Sequence, residues 1–355
     1  MLLGKALRDV WARRNSCSLG LLRELRRSYG CNAIGSHESR RARCYEGKGE
    51  CEGGSPGEVH GVHVFQCADQ LGIIARISKC IALRGANILN VDLYIDFDDK
   101  KQSPIFYARS EFAFNPLQWP RAVMDEDFAE LAHHFKAEKS VVRVLGSDPD
   151  LKLAVLASWQ DHCLIDLLHR WQEGELPANL SCVIRCTTFV SNHNRGPNTH
   201  VLRFLERHGI PYHYLPTSKG NKREEEILDL VSGTDFLVLA RYMQVLSPTF
   251  LKGYKKDIIN IHHGLLPSFK GANPYRQAYE AGVKLIGATS HFVTEELDDG
   301  PIIEQMVDMV SHRDSLHTFA TRSENLEKQC LAKAIKYYCE QRIMRYSTNK
   351  TIVFC

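Results

Sequence analysis

Apolar and polar positions along this chain follow two different rhythms, and the change of rhythm divides it. Residues 59–67 alternate and are rich in β-branched side chains, the pattern of a half-buried strand. Over residues 73–84 the period lengthens, with Ile73, Ile74, Ile77, Cys80 and Ile81 on one helical face. Gly85-Ala86-Asn87 ends that helix. Strands are predicted over residues 88–95 and 106–114, a helix over 125–135 and a closing strand over 140–145. The order β-α-β-β-α-β predicts a ferredoxin-like unit spanning residues 59–146.

From Leu151 the strands become nearly continuous apolar runs, at residues 151–158 and 234–240, as parallel strands buried on both faces require. Amphipathic stretches at 161–171, 198–208 and 221–231 alternate with strands at 181–186 and 210–215. That alternation predicts an α/β domain with a doubly wound, mostly parallel sheet over residues 150–355. Ligands of such sheets bind outside the carboxyl ends of the strands. Ser158-Trp159-Gln160, Arg241-Tyr242-Met243-Gln244 and Asn260-Ile261-His262 fall at those ends. Two strands, 284–293 and 301–307, bracket an acidic loop. A long helix over 316–340 and a last strand over 350–354 complete the prediction.

Charge adds a third region. The 355 residues carry a formal net charge of only +3, too little to call for nucleic acid or a membrane surface. Residues 1–45, however, hold one Lys and nine Arg against Asp9, Glu24 and Glu38. Leu3, Ala6, Leu7, Val10 and Trp11 share one helical side there. An Arg-rich, acid-poor amphipathic leader predicts import into an organelle, a mitochondrion before a plastid. Residues 46–58, rich in Gly and Glu, are expected to be a linker, so residues 1–58 form a leader and linker. Twelve cysteines without a C-x-x-C motif predict thiols buried in a reducing compartment, and no metal site.

The candidate chemistry lies in Ile258-Ile259-Asn260-Ile261-His262-His263-Gly264. In an extended strand, residues two apart point to one face, so Asn260 and His262 stand side by side at a strand end. An amide and an imidazole so placed can grip a polarised oxygen. The loop Glu295-Glu296-Leu297-Asp298-Asp299-Gly300-Pro301 offers a carboxylate, completing the parts for acyl-group chemistry.

Asp69-Gln70-Leu71-Gly72-Ile73-Ile74-Ala75 and Gly85-Ala86-Asn87-Ile88-Leu89 resemble an ACT domain. The resemblance implies a regulatory module that pairs with another copy, giving a homo-oligomer. It also implies an amino-acid effector at the loop carrying Asp69 and Gly72, with Asn87 in a tight turn; Asp69 could instead cap the helix. The later half is similar to the formyltransferase fold. Asn260-x-His262, Leu265-Leu266-Pro267-Ser268 and His291-Phe292-Val293-Thr294-Glu295-Glu296-Leu297-Asp298-x-Gly300-Pro301 carry that resemblance. Ser158-Trp159-Gln160-Asp161-His162-Cys163, Ala240-Arg241-Tyr242-Met243-Gln244 and Gly287-Ala288-Thr289 look like the formyltetrahydrofolate deformylases.

These resemblances imply hydrolysis of 10-formyltetrahydrofolate to tetrahydrofolate and formate in one-carbon metabolism, with formate available for purine synthesis. Folate is then substrate, and no metal or redox cofactor is called for. Asn260, His262 and Asp298 inherit the catalytic roles. An apolar slot for the pterin is expected from Met243, Gln244, Val245 and Leu246 on one side and Thr294, Glu295 and Leu297 on the other. His263 is either a polar wall of that slot or a packed neighbour. Asp161 and His162 either contact water or formate or serve the following helix. Arg241 and Arg276 either hold the folate glutamate tail or pair with acids, and His291 is expected to orient a neighbour. Gly264 departs from the Ser of bacterial members.

One physical point bears on the acceptor. The loop Trp159-Gln160-Asp161-His162 lacks glycine and carries an acid, so it makes a poor cradle for the phosphate of a nucleotide acceptor. No room for a basic tRNA-binding domain is expected after Phe354. Water is the simplest remaining acceptor. Two alternatives stay open: formyl transfer to a small amine, and a folate- and amino-acid-sensing protein without turnover.

Overall fold

The computed structural model describes residues 58–97, 103–188, 199–218, 220–271, 273–347 and 349–354. The leader helix and all of the linker but Glu58 lie outside the described residues. The described residues belong to one compact unit, Ser55–Cys355, which holds two main sheets.

The first sheet is built from β1 (Val59–Ala68), α1 (Ile73–Leu83), β2 (Asn87–Asp96), β3 (Ile105–Phe114), α2 (Arg121–Phe135) and β4 (Lys139–Val144). Its order is β2-β3-β1-β4, all antiparallel, the ferredoxin-like arrangement expected of an ACT-like module. Phe65, Phe112, Ile77, Ile81, Trp119 and Phe128 form the core between sheet and helices. The ring of Phe112 lies over Gly61, where a Cβ would come within 2.5 Å of it. Two local expectations change here. Gly72 itself is the N-cap of α1, at φ 88°, and takes no side-chain hydrogen bond, while the Asp69 backbone N–H donates to Pro104 O at 2.8 Å. Gly85, at φ 72°, makes the left-handed turn; Asn87 is already in β2. Glycine has no Cβ to oppose that conformation, so it takes the turn that Asn87 was expected to take.

The second sheet begins with β5 (Leu151–Ala157), α3 (His162–Gln172), β6 (Ala178–Thr188), α4 (Thr199–Arg207) and β7 (Tyr212–Thr217). It continues with α5 (Glu224–Val231), β8 (Phe236–Ala240), α6 (Pro248–Tyr254), β9 (Asp257–His262) and α7 (Pro274–Glu280). It ends with β10 (Leu285–Phe292), β11 (Ile302–Met309) and α8 (Leu316–Cys339). The order β11-β10-β9-β8-β5-β6-β7 is parallel from β9 to β7, with β10 antiparallel to both its neighbours. The chain winds outward from β5 in one direction and from β8 in the other. Helix α8 buries Cys330, Leu331, Ala334 and Ile335 against this sheet. The short helices α6 and α7 escaped the periodicity because seven residues give too few turns to show a period. Ser247 caps α6 by accepting from the Phe250 N–H, with Pro248 in its first turn.

The last strand does not extend the large sheet. β12 (Ile343–Ser347) and β13 (Lys350–Val353) form a hairpin that packs on the first sheet. Met344 and Phe354 bury against Val62, Val64 and Tyr107. Arg109 of β3, 2% exposed, reaches the end of α8, donating from Nη2 to Glu340 O at 3.0 Å and from Nε to Gln341 O at 3.1 Å.

Candidate active site

The β9 run Ile258-Ile259 is buried, and the strand carries Asn260 and His262 to its end. In the antiparallel β9–β10 ladder Asn260 stands opposite His291 and His262 opposite Thr289. Asn260 Nδ2 is 3.2 Å from His291 Nε2, and His291 Nδ1 is 2.9 Å from Phe292 O. A carbonyl only accepts, so Nδ1 carries the proton, and Nε2 is left to accept from the amide. Burial lowers the pKa of His291, against the bond to Phe292, and so favours the neutral ring this relay needs. His291 thus orients the Asn260 amide.

His262 is held from both sides. Its Nε2 donates to Phe269 O at 3.1 Å, and its Nδ1 is 3.4 Å from Asp298 Oδ2. Asp298 arrives on the loop between β10 and β11 with φ 52°, and it accepts from the Gly271 N–H at 3.1 Å. Gly300 allows that loop to fold in, because a Cβ there would overlap the Phe292 carbonyl. Burial works to raise the Asp298 pKa, but the hydrogen bond and charge of His262 and the Gly271 N–H outweigh it and hold the carboxyl below its usual range. An ionised carboxylate, an imidazole and an oriented amide therefore converge.

They open into a cleft of about 250 Å³. Met243, Gln244, Val245, Leu246, Thr294, Glu295, Leu297 and His263 line it. Met243, Val245 and Leu297 are more than half exposed at its mouth, whereas Leu246 is buried. Desolvation brings the His263 pKa down to about 3, with Arg241 and His262 adding to the effect, so it is a neutral polar wall. Val293 and Glu296, within the stretch expected to form the slot, also line the cleft, as do Leu239 and Ile261, which were not singled out as lining. Gly264 keeps the site close-packed. A Cβ there would lie 2.9 Å from Pro274 Cβ and 3.1 Å from His262 Nε2.

Of the remaining candidates, Arg241 lines the cleft, while Arg276, Asp161 and His162 do not. Arg276 is exposed, does not line the cleft and pairs with Glu280 at 3.2 Å. Arg241 is buried, with Nε 2.7 Å from Gln160 Oε1 and 3.5 Å from Glu327 Oε2. Its guanidinium is turned to these internal partners. His162 Nε2 is 2.8 Å from Glu327 Oε2, and Asp161 pairs with Arg185 at 3.1 Å; neither lines the cleft. Asp161 precedes α3 without a side-chain cap bond. Glu327 was missed, although its signal was available: Phe319, Ser323, Glu327 and Cys330 share the buried face of α8, and a Glu on such a face is out of place. Among the described residues, His162, Cys163 and Glu327 could converge on a metal. The guanidinium beside Glu327 opposes a cation there, and burial and Glu327 push the Cys163 thiol pKa well up, against a thiolate ligand.

A family model described as formyl transferase matches residues 151–335. The chain is 62% identical over 300 residues to formyltetrahydrofolate deformylase 2, mitochondrial, of Arabidopsis thaliana, covering 84% of this chain and 88% of that one. It is 38% identical to the formyltetrahydrofolate deformylase of Bacillus subtilis, covering 84% and 94%. The chain belongs to the formyltetrahydrofolate deformylase family. Among solved structures, the formyltetrahydrofolate deformylase of Pseudomonas syringae pv. tomato superposes with a TM-score of 0.72 at 35% identity, covering 84% of this chain and 95% of that one. Glycinamide ribonucleotide transformylase 1 of Symbiobacterium toebii reaches 0.52 at 27% identity, but over 60% of this chain and 97% of its own. The deformylase match therefore extends well beyond the formyltransferase half, as an ACT-like module followed by that half requires.

Proposed function

We propose that the protein hydrolyses 10-formyltetrahydrofolate to tetrahydrofolate and formate in mitochondria, within one-carbon metabolism. The convergence of Asn260, His262 and Asp298 at the mouth of β9, beside a cleft with an apolar rim, carries this conclusion. The formyl carbonyl sits against the Asn260 amide and beside the His262 ring, whose Nε2–H turns from Phe269 O to the oxyanion of the tetrahedral intermediate. Asp298 takes the proton of the attacking water, directly or through His262. The water oxygen bonds to the formyl carbon, the bond to N10 breaks, and N10 leaves with a proton. The reaction so written calls on no resident metal or redox cofactor.

Purified protein with 10-formyltetrahydrofolate and no amine provides the test. Formate release that disappears in Asp298→Asn is expected. Release only when an amine is added would replace the hydrolase with a transferase, and tight folate binding without turnover would leave a sensor. The leader's composition and the mitochondrial relatives support the location; a fusion of residues 1–60 to a fluorescent protein should colocalise with mitochondria and not remain cytosolic.

The ACT-like sheet supports two finer proposals. Its edge strand β2 exposes Leu89 and Leu93 at about half their area, an edge suited to a second copy. A homo-oligomer should appear in equilibrium sedimentation. The Asp69–Gly72 loop at the start of α1 is the proposed effector site, and addition of Gly or Met should change the rate of formate release. Among the described residues no helix is long and apolar enough to cross a membrane.

A further inference from the structure

Doubly wound sheets bind their ligands in the crevice at the switch point, where neighbouring strands send their chains in opposite directions. In this protein that crevice lies outside the ends of β5 and β8, which pair from Leu153 with Phe236 to Ala157 with Ala240. It is filled by the protein itself. Gln160, just past β5, accepts from Arg241 Nε at 2.7 Å and also from its Nη2. Arg241, just past β8, is 3.5 Å from Glu327, which holds His162 at 2.8 Å. Arg185 and Asp161 pair at 3.1 Å on the β6 side.

This filling is poorly explained as packing. Arg241 has φ 59°, a left-handed conformation that a residue with a Cβ resists. It is 6% exposed, Glu327 is 2% exposed, and Arg241 Nη1 finds no hydrogen-bond partner among the described residues. Apolar side chains would close a core gap without that strain, and without burying an ion pair and an unsatisfied donor. Strain and orphaned polar groups of this kind concentrate where function holds them.

The place of Arg241 says which function. Leu239 of β8 pairs with Asn260 of β9, so Arg241 follows in step beside His262. Arg241 lines the same cleft as Asn260 and His262 and is buried, whereas Leu297 in that lining is more than half exposed. A second substrate attacking the formyl carbon from the switch point would have to occupy the volume Arg241 fills.

We propose that Arg241, locked by Gln160 and Glu327, is a plug that excludes amine acceptors from the switch-point crevice and leaves water as the formyl acceptor. Arg241 is here a specificity-determining residue for the hydrolysis proposed above, on which this inference rests. With the plug gone, a small amine enters. Its nitrogen bonds to the formyl carbon, the bond to N10 breaks, and N10 receives the proton the amine loses.

The test compares full-length wild type, Arg241→Gly with Glu327→Gln, and Gln160→Gly, each given 10-formyltetrahydrofolate and glycinamide. The paired change avoids stranding the Glu327 carboxylate, and glycine accepts the backbone angle at 241 without strain. Gln160→Gly loosens the lock while keeping the arginine, should the paired variant not fold. The ratio of N-formylglycinamide to formate, read by mass spectrometry, is expected to rise by about tenfold or more in the variants, the scale on which a reshaped pocket changes discrimination. An unchanged ratio in folded variants, or a wild type that already formylates the amine, overturns the plug. A second readout needs no turnover: saturation-transfer NMR with tetrahydrofolate present should show glycinamide on the variants and not on wild type, and equal contact overturns the proposal. A wild type that releases no formate refutes the hydrolase and leaves this binding arm to decide the plug.

Discussion

Two buried arginines touch the same helix and live by different rules. Arg109, at the end of α8, meets two carbonyls and Glu111, and its backbone lies in a regular strand. A cation at the carboxyl end of a helix also complements the helix dipole. Arg241, at the middle of α8, sits in a left-handed conformation with one guanidinium nitrogen that has no hydrogen-bond partner among the described residues. Both are buried, but they differ in satisfaction and strain. A buried charge that is fully answered joins parts of a structure, whereas one that is held under strain beside a cleft is there for what it does to that cleft. The junction end of α8 should therefore govern stability, and the cleft end should govern chemistry.

The largest expected effect separates them first. Asp298→Asn keeps the shape of the side chain and removes its charge, so kcat for formate release should fall by about 10²–10⁴-fold. Thermal stability should stay near wild type, since Asn keeps an acceptor for the Gly271 N–H and tolerates the left-handed backbone at φ 52°. A variant that loses kcat only in step with its folded fraction would make Asp298 structural and break the comparison from the cleft side.

Arg109→Met tests the other end. It removes donors from two carbonyls of the α8 terminus and leaves Glu111 without its nearest cation, at an expected loss of about 3 kcal/mol of unfolding free energy. In urea unfolding the midpoint should drop, while kcat of the folded enzyme should hold. A fall in kcat at full folding would mean that the junction speaks to the cleft through α8.

The same contrast explains what the sequence could disclose. β5 and β8 were legible because strands buried on both faces are written as unbroken apolar runs. Asn260 and His262 were legible because a strand's period of two fixes their common face. Asp298 was found through the motif that contains it, not through spacing alone. The Arg241–Gln160 and Arg241–Glu327 contacts were not legible, since their partners lie about eighty residues away, where no local period relates them. The β12–β13 hairpin was misplaced for a related reason. Its alternation says strand, but nothing local says that the strand packs onto β1 and β3 at the other end of the chain.

Histidine titration sharpens the comparison on a smaller scale. Burial lowers the His63 pKa from 6.5 to about 3 as the ring stacks on Phe128 at 3.9 Å, and burial also brings His263 to about 3. The folded state thus binds a proton less readily than the unfolded state. Stability from this source is complete above pH 6.5 and is lost as pH falls toward 3, by about 2 kcal/mol per histidine at pH 5. His63→Phe should remove one such share from the pH dependence of urea unfolding and leave that of His263. An unchanged slope between pH 6.5 and 5 would show that His63 is not held neutral by burial.

Gly264 gives the smallest effect and the finest distinction. Its value lies in close approach, not in backbone freedom, for a Cβ would meet Pro274 and the Nε2 edge of His262. Gly264→Ala should therefore destabilise by only about 1 kcal/mol, because Pro274 begins a short helix that can shift by tenths of an ångström. The same shift moves His262, whose Nε2 is tied to Phe269 O, so kcat should fall by about tenfold, more than the loss of stability accounts for. Stopped assays of formate release on folded protein, beside urea unfolding of the same sample, separate the two. If kcat holds while stability drops, the strain is absorbed by Pro274 alone, and the cleft is less tightly coupled to its walls than the packing around His262 implies.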